Sequence, residues 1–562
     1  MNFSLGFFKT VKTPEQRKNT RKELLFCSLS GIMLGLSFPP INISFLIFFS
    51  LVPYFYVISR RTGLAEINRA TYLTALIFTL ISLYWVGSWT KDADPFLMLA
   101  GSALIFFNPI VFLIASTLYY FTRKIFNRVI ALLLLPFFWV FYEYFYSITD
   151  LRFPWLTLGH SLSSLTLLAQ PADLIGAYGL SFIIILINAL IFFSFDFFRT
   201  NKKISYSYII CAISVFLFLF IYGFIKQKEY TDRKYDTIKA GLIQPDLNPW
   251  KKWESAGDLN KLADIYFNLS FNALQSGAAI IVWPETAFPV YLYSGSYYEI
   301  QNRIKTFADY NRVDLITGMP DATFFFDTET APPDAKPTPS GSAKYVSYNS
   351  ALHIKPFSNE IGKYGKQKLV PFGERVPFID VIPRLGDWIK WEVGISSWNV
   401  GKDTSVFSLF NKSASGKVVR AACVICIESI YQDYVAQFVK KGADFIIVVT
   451  NDSWYGKSSG PYQHKDISVL RAIENRRTVI RAANGGISCI ISPSGQVVKE
   501  TELFTKTQLT GYIFLNKETT FYSGNPLLIP YITIAVSIVV FLLFVIFKLT
   551  KYNFFKKLSR KY

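Results

Sequence analysis

Apolar runs about as long as a bilayer-crossing helix, which takes roughly 20 residues, recur through the first 226 positions and constrain this chain more than any other feature. They fall near residues 23–38, 42–59, 70–89, 96–121, 129–147, 174–197 and 205–225, and an eighth lies near 527–548. The first run ends in Leu36-Ser37-Phe38-Pro39-Pro40, with no small-residue cleavage site, and further runs follow at once. It therefore reads as a retained span and not as a signal peptide.

Basic residues indicate how the chain is threaded. Lys9, Lys12, Arg17, Lys18, Arg21 and Lys22 precede the first run, and Arg60, Arg61 and Arg69 follow the second. Arg123, Lys124 and Arg128 follow the fourth, Arg199, Lys202 and Lys203 the sixth, and Lys548, Lys551, Lys556, Lys557, Arg560 and Lys561 close the chain. The alternate loops hold little beyond Lys91 and Arg152. By the positive-inside rule both termini are expected in the cytoplasm, with the segment after the seventh run on the opposite face. The formal charge of +19, from 58 Lys and Arg against 39 Asp and Glu, is then mostly a topology signal, and nucleic acid is not an expected partner.

The expected organisation has three parts: a seven-helix membrane bundle over 1–226, an extracytoplasmic domain over 227–526, and an eighth helix with a basic tail over 527–562. Glu143 and Asn188 fall inside spans and need partners within the bundle, while Asp173, Gly176 and Gly179 mark close packing. Too little charge lies within the spans for a transporter pathway. The loop Phe153-Pro154-Trp155-Leu156-Thr157-Leu158-Gly159-His160-Ser161 is apolar and aromatic on the outer side. It reads either as an interfacial anchor or as the rim of a lipid-facing mouth.

From Lys226 onward, short β-rich runs alternate with helical ones, which argues an α/β domain. Strands are expected over 238–244, 279–283, 314–319, 346–354, near 368–370, and over 418–426, 445–450 and 486–492. Helices are expected over 259–275 and 462–476, and 327–344, rich in Pro, Thr, Ser and Asp, reads as a mobile surface loop.

Three strand ends carry reactive side chains. The run Arg420-Ala421-Ala422-Cys423-Val424-Ile425-Cys426-Ile427-Glu428-Ser429 reads as a buried strand ending in a thiol and turning into a helix near Ile430. There the helix amides and dipole are expected to favour the thiolate. Taken alone, Cys426 is more often a packed core residue, and Glu285 and Lys366 are more often surface ions. Glu285 follows Ile280-Ile281-Val282-Trp283-Pro284, however, and Lys366 precedes Gln367-Lys368-Leu369-Val370. Together the three make a complete acyl-transfer set: a nucleophile, a general acid–base and a cation for the oxyanion, aided by the amide after the cysteine. The chain has five cysteines, too few and too scattered for a disulfide framework. Cys423 and Cys426, three apart on a strand, face opposite sides, so neither a dithiol nor a metal site is expected, and no cofactor.

Trp283-Pro284-Glu285, Lys366 eight residues before Glu374 in Leu369-Val370-Pro371-Phe372-Gly373-Glu374, and Cys426-Ile427-Glu428 resemble the Glu-Lys-Cys triad of the nitrilase superfamily. Asn451-Asp452-Ser453-Trp454-Tyr455-Gly456, Gln463-His464, Arg471-Ala472-Ile473-Glu474 and Asn484-Gly485-Gly486 continue the resemblance in order. With eight spans and the 153–161 loop, nearly the whole chain resembles the apolipoprotein N-acyltransferases of bacterial inner membranes. That resemblance implies a nitrilase-like α-β-β-α sandwich inserted between the seventh and eighth transmembrane helices, facing the periplasm. It implies a phospholipid acyl donor, a thioester on Cys426 and a diacylated apolipoprotein acceptor, in a protein working as a monomer. It further implies that Glu374 holds Lys366 or Glu285, that Glu428 orients the site beside the thiolate, and that Trp253, Trp454 and Tyr455 shape the substrate entrance. Ile427 departs from the resemblance, since Tyr is common after the nucleophile. A membrane-tethered amidase with water as second nucleophile is the main alternative, and a non-catalytic transporter or scaffold the other.

Overall fold

In the computed structural model of the protein, successive residues of the strand Ile280–Trp283 face two different cores. Strand side chains alternate between faces. Ile280 and Val282 enter the core between two sheets, while Ile281 and Trp283 enter a second core with residues of the helices Leu259–Gln275 and Tyr298–Asn311. A strand covered on both faces must be apolar throughout, which explains the unbroken hydrophobic run. The structure describes residues 14–91, 93–251, 258–294, 296–327, 329–338, 340–382 and 398–559, with side chains up to Lys551. Trp253 lies outside the described residues, as do Lys9, Lys12, Arg560 and Lys561.

The strands are β1 (Asp236–Gln244), β2 (Ile280–Trp283), β3 (Asp314–Phe325), β4 (Lys336–Pro337), β5 (Lys344–Ile354), β6 (Ile361–Gly365), β7 (Val406–Lys412), β8 (Val418–Ile425), β9 (Phe445–Thr450), β10 (Val479–Ala483), β11 (Cys489–Ile491), β12 (Val497–Glu500) and β13 (Thr507–Leu515). One mixed sheet runs β13-β1-β2-β3-β5-β4, with β6 also on β5, and the other runs β12-β11-β10-β9-β8-β7. Leu242, Ile316 and Ala351 of the first meet Val424, Val449 and Ile480 of the second in one buried core. The helices Gln432–Lys440 and Ser459–Asn475 pack on the second sheet through Val435, Phe438, Leu470 and Ile473. The result is an α-β-β-α sandwich.

Two local expectations are corrected. No strand forms at 368–370, because the amides of Gln367 and Lys368 donate to the Glu428 carboxylate and Pro371 follows. The pairing edge is instead β6, antiparallel to β5, a short run with Gly362 and Gly365 that carries little strand signal. Within 327–344, β4 pairs with the start of β5, and Thr338 Oγ1 donates to the Ala343 carbonyl at 3.0 Å. That stretch is thus partly a hairpin.

Among the described residues, six helices are long and apolar enough to cross a membrane: Leu64–Gly87, Pro95–Ile125, Arg128–Ile148, Ala172–Asn201, Tyr206–Asp232 and Leu528–Lys551. The expected first span lies on Pro14–Leu36, whose leading half carries Arg17, Lys18, Arg21, Lys22 and Glu23. The expected second folds as two pieces, Ser44–Phe48 and Val52–Ile58, each too short to cross alone. The two polar side chains expected within spans find backbone partners, the kind of bond that replaces water there. Glu143 Oε1 accepts from the Leu158 amide at 2.9 Å, and Asn188 bridges the Leu51 amide and the Ile47 carbonyl, each at 2.8 Å.

Helix Ala172–Asn201 breaks at Gly176 (φ +63°), where the Ala177 amide, freed from the helix ladder, donates to Gln432 Oε1 at 2.6 Å and Glu474 Oε1 at 2.9 Å. Arg476, fully buried, binds Asp173 through Nη2 at 2.5 Å and Gln170 through Nη1 at 2.6 Å. Gln463 Oε1 accepts from Trp155 Nε1 at 2.8 Å and Trp85 Nε1 at 3.2 Å, while its amide donates to the carbonyls of Pro39 and Ser82. The sandwich is therefore bolted to the bundle by buried, directional bonds.

Candidate active site

At the end of β8 the backbone turns into the left-handed region. Cys426 has φ +53°, strained for a residue with a Cβ, and opens the short 3₁₀ turn Cys426–Ile430. Such strain costs about 1–3 kcal/mol and persists only where neighbours enforce it. The buried Glu428 is one enforcer: its carboxylate accepts from the amides of Ile425 (2.8 Å), Gln367 (2.7 Å) and Lys368 (3.1 Å) and from Tyr364 Oη (2.7 Å). It thus ties the turn to the segment that carries Lys366. Its oxygens are taken up by these amides and the Tyr364 hydroxyl, so any orienting of the site by Glu428 runs through the backbone.

Glu285 sits just beyond β2. Its backbone is packed so closely on β3 that a Cβ at Gly318 would lie 2.5 Å from Glu285 Cα. Lys366, just past β6, is 1% exposed. Its Nζ lies 3.2 Å from Glu285 Oε1 and 2.7 Å from Glu374 Oε1. Burial works against the ammonium, but the Glu285 and Glu374 carboxylates outweigh it and hold Lys366 well above the ordinary lysine range. Glu374 Oε2 also accepts from the Val370 amide at 2.8 Å. Asn349, on β5, donates from Nδ2 to Glu285 Oε1 at 2.7 Å and to Glu374 Oε1 at 2.9 Å. Reading the sequence missed Asn349; its one signal is an amide in the middle of a strand buried on both faces.

The Glu285 and Lys366 charges both act on the Cys426 thiol, so the structure brings the three expected residues together. It corrects the expected resting state of the sulfur. Burial pushes the Cys426 thiol up, the negative Glu285 adds to this, and Lys366 opposes it. The turn after Cys426 is only five residues of 3₁₀ helix, too short for a helix dipole to reverse that balance. At neutral pH the thiol therefore keeps its proton more firmly than a free cysteine does. Cys423 is fully buried in the β8 core.

A cavity of about 360 Å³ lies against residues 370–373, next in sequence to Glu374, and is lined on one side by helix residues Phe96, Ala100, Leu104 and Phe107 and on the other by Phe153, Val370, Phe372 and Tyr455. Leu99 lines it too and is 66% exposed on an outer helix surface shared with Phe106. Tyr455 joins cavity to cluster: its ring packs on Trp85 at 4.7 Å, and its phenol feels the charges of Cys426 and Glu374. Residues 370–374 have two faces, with Val370, Pro371 and Phe372 against the cavity and the Glu374 carboxylate against Lys366. Trp454 does not line the cavity; it stacks edge-on to Trp250 at 4.8 Å, and its carbonyl accepts from Ser88 Oγ. Of the 153–161 loop, Phe153 reaches the cavity, while Trp155 to Ser161 are buried against the sandwich and bundle and form no free headgroup anchor.

Residues 30–190 match the family model of the apolipoprotein N-acyltransferase N-terminal domain, and residues 239–520 match that of carbon-nitrogen hydrolases. The apolipoprotein N-acyltransferase of Chlorobaculum tepidum is 30% identical over 517 residues, 91% of this chain and 94% of that protein. The one from Geobacter metallireducens is 30% identical over 522 residues, 92% of this chain and 94% of that protein. A solved amidase from Nesterenkonia sp. aligns at 15% identity over 52% of this chain and 94% of its own, with a TM-score of 0.33. With two family models in tandem and relatives at this identity over nearly its full length, the chain belongs to the apolipoprotein N-acyltransferase family of the nitrilase superfamily.

Proposed function

We propose that this enzyme N-acylates the N-terminal diacylglyceryl-cysteine of apolipoproteins, with Cys426 as nucleophile, Glu285 as general acid–base and Lys366 as oxyanion partner. The observation that carries the reading is the join between the Glu285–Lys366–Cys426 cluster and an apolar cavity walled by the membrane helix Pro95–Val111. Water-soluble amides need no such cavity; an acyl chain does.

In the first half-reaction sulfur attacks a phospholipid ester carbonyl. The C–S bond forms, the thiol proton passes to Glu285, and the carbonyl electron pair moves onto oxygen beside Lys366 and the Ile427 amide. Collapse breaks the ester C–O bond, and the lysophospholipid leaves with the proton from Glu285. In the second, the acceptor α-amine attacks the thioester, a C–N bond forms, and the C–S bond breaks. Glu285 moves the amine's proton to sulfur and restores the thiol. Glu374 and Glu428 act as positioning residues, and Tyr455, Trp454 and Trp253 are assigned to the entrance.

The basic loops support cytoplasmic termini and a sandwich on the periplasmic face of the inner membrane. Segments 23–38 and 42–59 come as a pair, so this parity is the same whether or not they cross. The enzyme is proposed to work as a monomer, both substrates being delivered by the bilayer.

Reconstituted with a fluorescent phospholipid, the wild type should gain a hydroxylamine-sensitive label that is absent from Cys426→Ala and passes to a diacylated peptide with a free N-terminus. Fatty-acid release without transfer would favour a tethered hydrolase, and no labelling at all would leave only a scaffold.

A further inference from the structure

Beneath the nucleophile runs a second buried polar chain that the proposed reaction does not use. The Cys426 carbonyl accepts from Ser429 Oγ at 2.8 Å and faces His464 Nε2 at 3.1 Å; Ser429 Oγ and His464 Nε2 are 2.9 Å apart. On the other side of the ring, His464 Nδ1 lies 2.8 Å from Asp452 Oδ1, and Asp452 Oδ2 is held by Arg481 Nη2 at 2.9 Å. Ser429, His464, Asp452 and Arg481 are each no more than 3% exposed. A carboxylate only accepts, so Nδ1 carries a proton and donates to Asp452; since Ser429 gives its own proton to the Cys426 carbonyl, Nε2 must donate toward the turn as well, and the ring sits there as an imidazolium paired with Asp452. Ser–His–Asp spacing of this kind suits a nucleophilic serine, but Ser429 has no exposed surface and its hydroxyl is committed to a backbone oxygen. The chain ends on a peptide group.

That peptide group is the one between Cys426 and Ile427. It is trans, so its C=O and N–H point in opposite directions. Anchoring the carbonyl inward on Ser429 and His464 turns the Ile427 amide outward, away from that carbonyl's partners. An oxyanion donor acts through its aim at the place where charge develops. We infer that His464 is a positioning residue for the oxyanion donor: together with Ser429 it holds the Cys426–Ile427 peptide so that the Ile427 amide faces the reacting carbonyl. This rests on the reading of Cys426 as the nucleophile.

Two reactions of the same sulfur separate this role from general support of the fold. Iodoacetamide alkylates by displacement at a saturated carbon and makes no oxyanion, whereas thioester formation from phospholipid makes one. In the full-length enzyme in bilayers, His464→Leu should slow single-turnover thioester formation about 100-fold, the scale of losing one oxyanion donor, with alkylation of Cys426 changed less than about twofold. His464→Gln, whose amide can still donate to the Cys426 carbonyl, should regain at least about tenfold, and Ser429→Ala, a smaller lesion, should lose about tenfold. Equal losses in both reactions, unchanged thioester formation in His464→Leu and Ser429→Ala, or no rescue by Gln would overturn the inference. A wild type that alkylates but never forms a thioester would overturn the nucleophile reading itself, and this inference with it.

Discussion

Lys366 Nζ is 2.7 Å from Glu374 Oε1 but 3.2 Å from Glu285 Oε1, so the buried ammonium is shared unequally and leans toward Glu374. Asn349 divides its amide between the same two oxygens. A base clasped by a full ion pair is a poor proton acceptor. Glu374 therefore draws part of the lysine away from Glu285.

Glu374→Gln removes that draw, and Lys366 should close on Glu285 and weaken it as a base. Thioester formation is expected to fall about 10- to 100-fold, within the range of general-base effects. Glu374→Ala should also cost about 3–5 kcal/mol of stability, since a buried charge loses its nearer partner. Stopped-time acylation and thermal unfolding in detergent check the two effects; an unaltered acylation rate would remove Glu374 from the site.

The thiol predicts a pH profile. Burial and Glu285 raise it and Lys366 lowers it, so the thiolate is scarcer at neutral pH than in a free cysteine. Alkylation of the wild type should still be rising above about pH 8.5, the ordinary thiol value. Removing the negative neighbour in Glu285→Gln should move the curve to lower pH, and removing the positive one in Lys366→Met should move it to higher pH. A wild-type rate already level at about pH 7 would contradict the assignment.

Filling the cavity should separate chain length from chemistry. Ala100→Trp places an indole among Phe96, Leu104 and Phe107 and is expected to cut acylation from long-chain phospholipid by more than about tenfold. A short activated ester, which needs no cavity, should react within about threefold of the wild type, a difference of under 1 kcal/mol. Equal losses with both donors would show that the cavity does not hold the chain.

Gly176→Ala tests the bolting of sandwich to bundle. The residue has φ +63°, and a Cβ would stand 2.4 Å from the Tyr522 ring and 2.8 Å from Gln432 Oε1, both in the sandwich. Strain and overpacking together should cost at least about 2 kcal/mol. The unfolding midpoint of the sandwich should fall even though the lesion is in a membrane helix; an unchanged midpoint would show the two parts to be uncoupled.

Cys426 and Glu285 stand where the strand periodicity ends, just beyond β8 and β2, whereas Lys366 was tied to a strand at 368–370 that does not form and instead follows β6. The directions of their neighbours were not legible. Where Glu428 points depends on which amides turn toward it, and those of Gln367 and Lys368 belong to a stretch that reads as a strand from sequence alone. Asn349 carries no local mark of function, since its partners arrive from β2 and from residues 370–374. Apolar composition placed six of the eight expected spans on helices that qualify, but it could not reveal that 42–59 folds as two short helical pieces, with the Asn188 side chain holding the Leu51 amide between them.

The ties of Gln463 to Trp85 and Trp155, and of Arg476 to Asp173, leave the sulfur no freedom to rise or sink relative to the helices. On the proposed function, a thiol fixed in this way measures its substrates by height: it meets only those carbonyls and amines that their own greasy anchors carry to its level, so selectivity begins as a matter of depth before any side chain reads a headgroup.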